Sequence, residues 1–275
     1  MFHHGMTVLR PRYAALGLRD LLPLERVMVG SASQRAGAFG GFHHPNQGYR
    51  HLQMRALITM YGDMRGDVPT VPELAVLDLL RAYAHDCLHY GSCRRYLMRG
   101  GEVVRTQYGI NYRQPNGRTY SAPDVPGSPT TRNIGTVMEG ACDREARSIT
   151  RQVAAAHGVE YRDGVDGFAF RDVTGQLDSR DKPTGGTPET AKYVTSMLKY
   201  EAGVNARYAG FLDEMGQSES DALHDVILSA IISGDLAELC AWLDARHGPG
   251  TFAALFMSRR YLSPDTPEAE FRLAS

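Results

Sequence analysis

The chain predicts an α+β fold dominated by helices, with a small sheet beside a metal-binding helix and a helical C-terminal half. Three observations carry this expectation. Long segments repeat apolar residues at helical spacing, one segment alternates with a period of two, and His85 and His89 stand four residues apart inside a helical pattern. A chain of 275 residues can bury a full core. Lysine and arginine number 30 against 31 aspartates and glutamates, so bulk charge recommends neither nucleic acid nor a membrane as partner. Mean hydropathy is -0.32, and no apolar run approaches the roughly 20 residues of a membrane span. The start, Met1-Phe2-His3-His4-Gly5, lacks the basic-then-apolar plan of a signal peptide. The four cysteines (Cys87, Cys93, Cys142, Cys240) form no CxxC and read as reduced thiols of a cytoplasmic protein. The same features fit an effector or toxin made in that compartment and delivered to another cell.

Residues 1–50 show no sustained period. Leu21 to Val29 reads as a short helix with Pro23 in its first turn, and a Gly-, Ser- and Ala-rich loop follows up to Gly41-Phe42-His43-His44-Pro45-Asn46. His43 and His44 read as a loop tip. Leu52 to Tyr61 is apolar enough for a strand or a helix. Pro72-Glu73 then opens a clear helix, with Leu74, Leu77, Leu80, Ala84, Leu88 and Tyr96 along one apolar side. Its expected end is about Leu97, before Gly100-Gly101, with Gly91 as an earlier stop.

Glu102 to Ser121 changes period. Val104, Thr106, Tyr108, Ile110 and Tyr112 alternate with Arg105, Gln107, Asn111 and Arg113, and Pro115-Asn116-Gly117 supplies a turn. A hairpin is expected, with Tyr108, Asn111 and Arg113 available to hold substrate or stabilise an oxyanion. Such alternation is also what one face of any sheet looks like. Ala122 to Arg132 reads as loop. Asn133 or Thr136 caps a helix running to about Ala156, with Ile134, Val137, Met138, Ala141, Ala146 and Ile149 inward. Gly158 to Asp181 suggests short strands and turns, and Lys182 to Pro188 a flexible break. From Glu189 onward, apolar stripes of Tyr193, Met197, Tyr200, Val204, Tyr208 and Leu212, then Leu223, Ile227, Ala230 and Ile231, then Leu236, Leu239, Trp242 and Leu243, predict core helices. His224 and His247 read as surface or capping residues. Residues 1–181 form the metal-binding region in this reading, and 189–275 a helical region packed into the same domain.

The chemistry concentrates in His85-Asp86-Cys87-Leu88-His89. Imidazoles at i and i+4 lie one above the other on a helix face and can close on one ion. Glu139 and Asp143 supply acids for a third ligand and its support. Three protein ligands with an open fourth position is the arrangement of a catalytic zinc. Cys87 and Cys142 read as small buried hydrophobes, and Gly135 and Gly140 match no phosphate loop.

These residues resemble a family. His85-Asp86-Cys87-Leu88-His89 is similar to the HExxH helix of zincin metallopeptidases, and Met138-Glu139-Gly140-Ala141-Cys142-Asp143 resembles the second helix of their gluzincin branch. The likeness covers roughly residues 70–155. It implies a zinc peptidase cutting a peptide or protein substrate, with His85, His89 and Glu139 on Zn2+ and Asp143 orienting a histidine from behind. Asp86 stands where zincins carry glutamate and takes the general-base role, about 1.5 Å shorter in reach. The same His85-Asp86 pair also resembles the HD phosphohydrolases. There His51, His85, Asp86 and Asp143 would surround Mn2+ or Fe2+, with His89 as an additional ligand. A third reading is a non-catalytic interaction protein with a degenerate metal site.

Overall fold

The protein is described here by a computed structural model covering residues 1–27, 40–43, 50–53, 72–114, 119–160, 164–178, 180–181 and 188–257. The architecture is α+β and predominantly helical. By its internal contacts the chain divides into two compact units, Met1–Gly91 with Cys142–Gly203, and Ser92–Ala141 with Val204–Ser275. No helix among the described residues is long and apolar enough to cross a membrane.

The first unit opens with helix α1 (Phe2–Ala15), where an irregular segment was expected from the sequence. Pro11 stands inside it, and its polar residues dilute the apolar signal. What repeats is a stripe of four buried residues, Gly5, Met6, Leu9 and Tyr13, spaced to face one way. Buried Tyr13 donates its hydroxyl to the Ala84 carbonyl at 2.9 Å, which satisfies an otherwise costly buried O–H. Of the short helix expected at Leu21–Val29, the described residues form one 3-10 turn, Leu24–Arg26, and residues 28–29 lie outside them. A two-stranded antiparallel hairpin follows, β1 (Gly40–His43) and β2 (Arg50–Gln53), in register Gly40↔Gln53 to His43↔Arg50.

Helix α2 (Pro72–Gly91) begins at the proline the sequence marked and runs beside that hairpin. Leu74, Leu77, Leu80, Ala84 and Leu88 are buried as expected. The helix ends at Gly91, so the longer extent to Leu97 is corrected. Tyr96 and Leu97 fall instead on a strand and are exposed. The unit is completed by the later turns of α3 (Ile134–Ala156), then α4 (Gly164–Thr174) and α5 (Pro188–Tyr200). Helix α4 replaces the strands and turns expected between Gly158 and Asp181. Phe168, Ala169 and Val173 supply its buried face, and two glycines within it (Gly164, Gly167) had obscured the helical period.

In the second unit, β3 (Arg94–Arg99), β4 (Glu102–Tyr108) and β5 (Asn111–Tyr112) form an antiparallel sheet in that order, with a register shift between Arg95 and Tyr96. The first turn of the expected hairpin comes earlier than Pro115. Tyr108 pairs with Asn111 across Gly109-Ile110, and Gly109 adopts φ +55°, a left-handed conformation that suits glycine. A bridge between Arg113 and Thr119 brings the chain back, while residues 115–118 lie outside the described residues. The polar alternation on β4 is also inverted at Gln107, which is fully buried. Its amide donates to the carbonyls of Gly109 (2.9 Å) and Gly234 (2.7 Å), so the side chain serves as internal scaffolding.

Helix α3 starts where Asn133 caps it, its Oδ1 accepting from the amides of Gly135 (2.9 Å) and Thr136 (3.1 Å). After a π-helical turn (Glu201–Asn205), α6 (Ala206–Gly216), α7 (Ser220–Ser233), α8 (Ala237–His247) and α9 (Thr251–Phe256) complete this unit. Its core contains Val137, Met138, Tyr208, Phe211, Leu212, Leu223, Ile227, Ile231, Leu239 and Leu243. His224 belongs to that core and not to the surface. The Tyr208 hydroxyl meets its Nδ1 at 2.8 Å, which is how a buried imidazole among leucines is tolerated. At Gly140 the α6 helix comes so close that an added Cβ would lie 2.4 Å from Tyr208 Cβ.

Candidate metal centre

Helix α2 carries Asp78, Arg81, His85 and His89, and α3 carries Glu139, Asp143 and Arg147. Each series is spaced by three or four residues, so each makes a polar stripe down one side of its helix. The remaining positions near them, Ala84, Cys87, Leu88, Ala141, Cys142 and Ala146, are small or apolar and buried, which draws the helices into the core.

Asp143 joins the two stripes. Its Oδ1 lies 3.6 Å from His85 Nδ1 and 3.8 Å from an Arg81 nitrogen, and its Oδ2 lies 2.7 Å from Arg147 Nε. Burial by itself would favour the neutral carboxyl. Arg147, then His85 and Arg81, outweigh it and hold Asp143 ionised well below the usual carboxylate range. Arg147 is itself buried and donates to Glu201 at 2.9 Å and to Asp172 at 3.0 Å, so one guanidinium faces three acids. Its own loss of solvent is thereby offset, and its pKa is raised. Arg81 donates to Asp78 at 2.9 and 2.6 Å, although burial keeps the Asp78 carboxyl above its ordinary value.

Helix α3 is continuous, and Glu139 sits one turn ahead of Asp143 on it. The ligand atoms of His85, His89 and Glu139 all lie within 4.8 Å of one another. The two rings stand 4.6 Å apart between centroids, tilted by 54°. His89 is buried, whereas His85 and Glu139 are half-buried, so the group keeps an approach from solvent. Two imidazole nitrogens and one carboxylate oxygen form a donor set that zinc, manganese and iron all accept. Ligands about 2.1 Å from a tetrahedral ion stand about 3.4 Å apart, so binding would close this cluster by no more than about 1.4 Å.

Asp86 is buried, one residue past His85 and therefore turned by about 100° around the helix. It is not one of the three clustered ligands. Cys87 and Cys142 are fully buried free thiols, as expected of small hydrophobes. The guanidinium carbons of Arg94 and Arg105 sit 5.2 and 4.7 Å from the Tyr108 ring centroid. Asn111 accepts from the Thr119 hydroxyl at 3.0 Å, and the Arg113 amide donates to Thr106 at 2.9 Å. His247 meets the Met215 carbonyl at 2.8 Å near the end of α8. The side chains of His43 and His51, and the whole of His44, lie outside the described residues.

Sequence reasoning passed over Arg81, Arg147, Asp172 and Glu201. A signal for Arg147 was present, since Glu139, Asp143 and Arg147 follow one another at four-residue intervals. No such signal marks Asp172 and Glu201, which reach Arg147 only through the packing of other elements. The chain matches no protein-family model, no curated protein and no solved structure.

Proposed function

We propose that this protein is a metal-dependent hydrolase that holds one divalent ion, zinc, on His85, His89 and Glu139. The observation that carries the reading is the convergence of those three ligand atoms within 4.8 Å from two different helices. A bound ion would contribute Lewis acidity and an activated water. Asp143, held beside Arg147, stands 3.6 Å from His85 Nδ1, and with Nδ1 turned to that carboxylate Nε2 would be the nitrogen left to hold an ion. Asp86 is assigned as the group that takes and returns the proton. Peptide as the substrate class follows from the likeness of the two segments to the gluzincin pattern.

The test begins with metal analysis of the purified protein. One zinc per chain is expected, lost in His85→Ala, His89→Ala and Glu139→Ala alike. A chain that holds no ion, or an ion indifferent to Glu139→Ala, would sink the reading. Asp86→Asn should keep the metal and lose peptide hydrolysis, and undiminished turnover would remove Asp86 from the base role. Cleavage of a phosphodiester stimulated by manganese or iron and abolished by His51→Ala would reassign the site to phosphoryl chemistry.

A further inference from the structure

The β3–β4 hairpin inverts the usual order of a soluble surface. Among the described residues, seven large hydrophobic side chains are exposed, and four of them are on this one hairpin: Tyr96, Leu97, Met98 and Val103. Isolated exposed apolar residues are ordinary, but a contiguous group marks a contact surface. Met98 is 70% exposed and stands directly opposite Val103, 60% exposed, in the register of the pair. Leu97, 57% exposed, is adjacent to Met98 on the strand and therefore points to the other face. The tip beyond them turns through Gly100 and Gly101, both at positive φ.

Charge is as uneven as polarity. Residues 94–108 contain four arginines (Arg94, Arg95, Arg99, Arg105) and one acid, Glu102, in a chain whose overall charge is -1. Arg95 and Arg99 are exposed beside the apolar residues. Strand β3 is also an edge of its sheet. Pairing of two copies along this edge would bring arginines against arginines, which disfavours a second copy as the occupant.

We infer that the β3–β4 hairpin docks the protein on anionic lipid bilayers, with Leu97, Met98 and Val103 entering the interface and Arg95 and Arg99 meeting lipid headgroups. Apolar residues on both faces of the tip decide between partners. A folded protein docking on one face leaves the other in water, whereas a bilayer interface surrounds a tip on all sides. Arg95 and Arg99, against the single acid Glu102 opposite Arg99, supply the complement to an anionic headgroup layer, and near-neutral bulk charge hides it from a composition argument.

The experiment is cosedimentation of the full chain with vesicles of phosphatidylcholine alone and of phosphatidylcholine with phosphatidylserine, at low and high salt. Binding is expected to the serine-containing vesicles and to fall as salt rises. Arg95→Gln and Arg99→Gln should each weaken it about fivefold. Leu97→Asp and Met98→Asp should each weaken it on the order of tenfold or more, because the buried apolar surface is replaced by a charge. Circular dichroism of each variant should match the parent, since all four side chains are exposed. No partition to phosphatidylserine vesicles, or partition unchanged in the Leu97→Asp/Met98→Asp double variant, would overturn the inference. So would saturable binding of a labelled oligonucleotide or acidic peptide that the same arginine variants abolish, with no vesicle binding.

Discussion

The face between α2 and the later turns of α3 and the tip of the β3–β4 hairpin are opposites. The first buries charge: Asp78, Asp143, Arg147 and Asp172 are all nearly inaccessible to water. The second exposes leucine, methionine and valine. Each departs from the rule that apolar groups go inside and ionised groups outside, and each is tolerated for a different reason. Buried ions survive because every acid there faces a guanidinium or an imidazole, and the network is costly to interrupt. Exposed apolar residues survive because they sit on a short hairpin whose root, at Gln107 and Ile110, is anchored in the core. A buried charge is therefore sensitive to loss of one partner, and substitution at the exposed tip should matter little to the stability of the fold.

The contrast can be broken most forcefully at Arg147. Arg147→Ala leaves Asp143, Asp172 and Glu201 without their shared cation and should cost about 3–5 kcal/mol in urea unfolding. A loss under about 1 kcal/mol would mean the three acids find other partners and the network is not a unit. Next comes Gly140→Ala, which forces a methyl group against Tyr208 and should destabilise by about 1–3 kcal/mol. Unchanged thermal stability would show that α6 yields at that contact.

Asp143→Asn sharpens the site half of the comparison. It should weaken zinc binding by about 10- to 100-fold in a competitive chelator titration while the three ligands remain. Equal affinity would detach Asp143 from His85. Acid tests the same carboxylate. Its folded-state pKa lies below the ordinary 3.8, so its contribution to stability is present above that value and declines as the pH falls beneath it. In Asp143→Asn the urea midpoint should accordingly depend less on pH below about 4 than in the parent. The smallest effect belongs to the hairpin: Leu97→Asp and Met98→Asp should change unfolding free energy by no more than about 0.5 kcal/mol. A larger loss would place those side chains in the core.

Much of this was legible in the residues themselves. Pro72 and Asn133 announced the two site helices because capping chemistry is local and depends on the nearest three or four amides. The i, i+4 spacing of His85 and His89 fixed their common face for the same reason. Other features resisted reading. Pro11 and the polar residues around it concealed α1. The end of α2 at Gly91 was one of two open choices, and Gln107 looked like an outward residue although its amide is needed inside.

Local order along the chain thus determined which side chains share a helix face, where the site helices begin, and that the fold would be helical with a small sheet. Which helix faces which was decided only in three dimensions. Asp172 and Glu201 converge on Arg147 because burying apolar stripes sets their elements against one another, and Glu139 is met by two imidazoles some fifty residues earlier in the chain. Such long-range placement depends on the shape of the whole packed core, and no short window of sequence contains it.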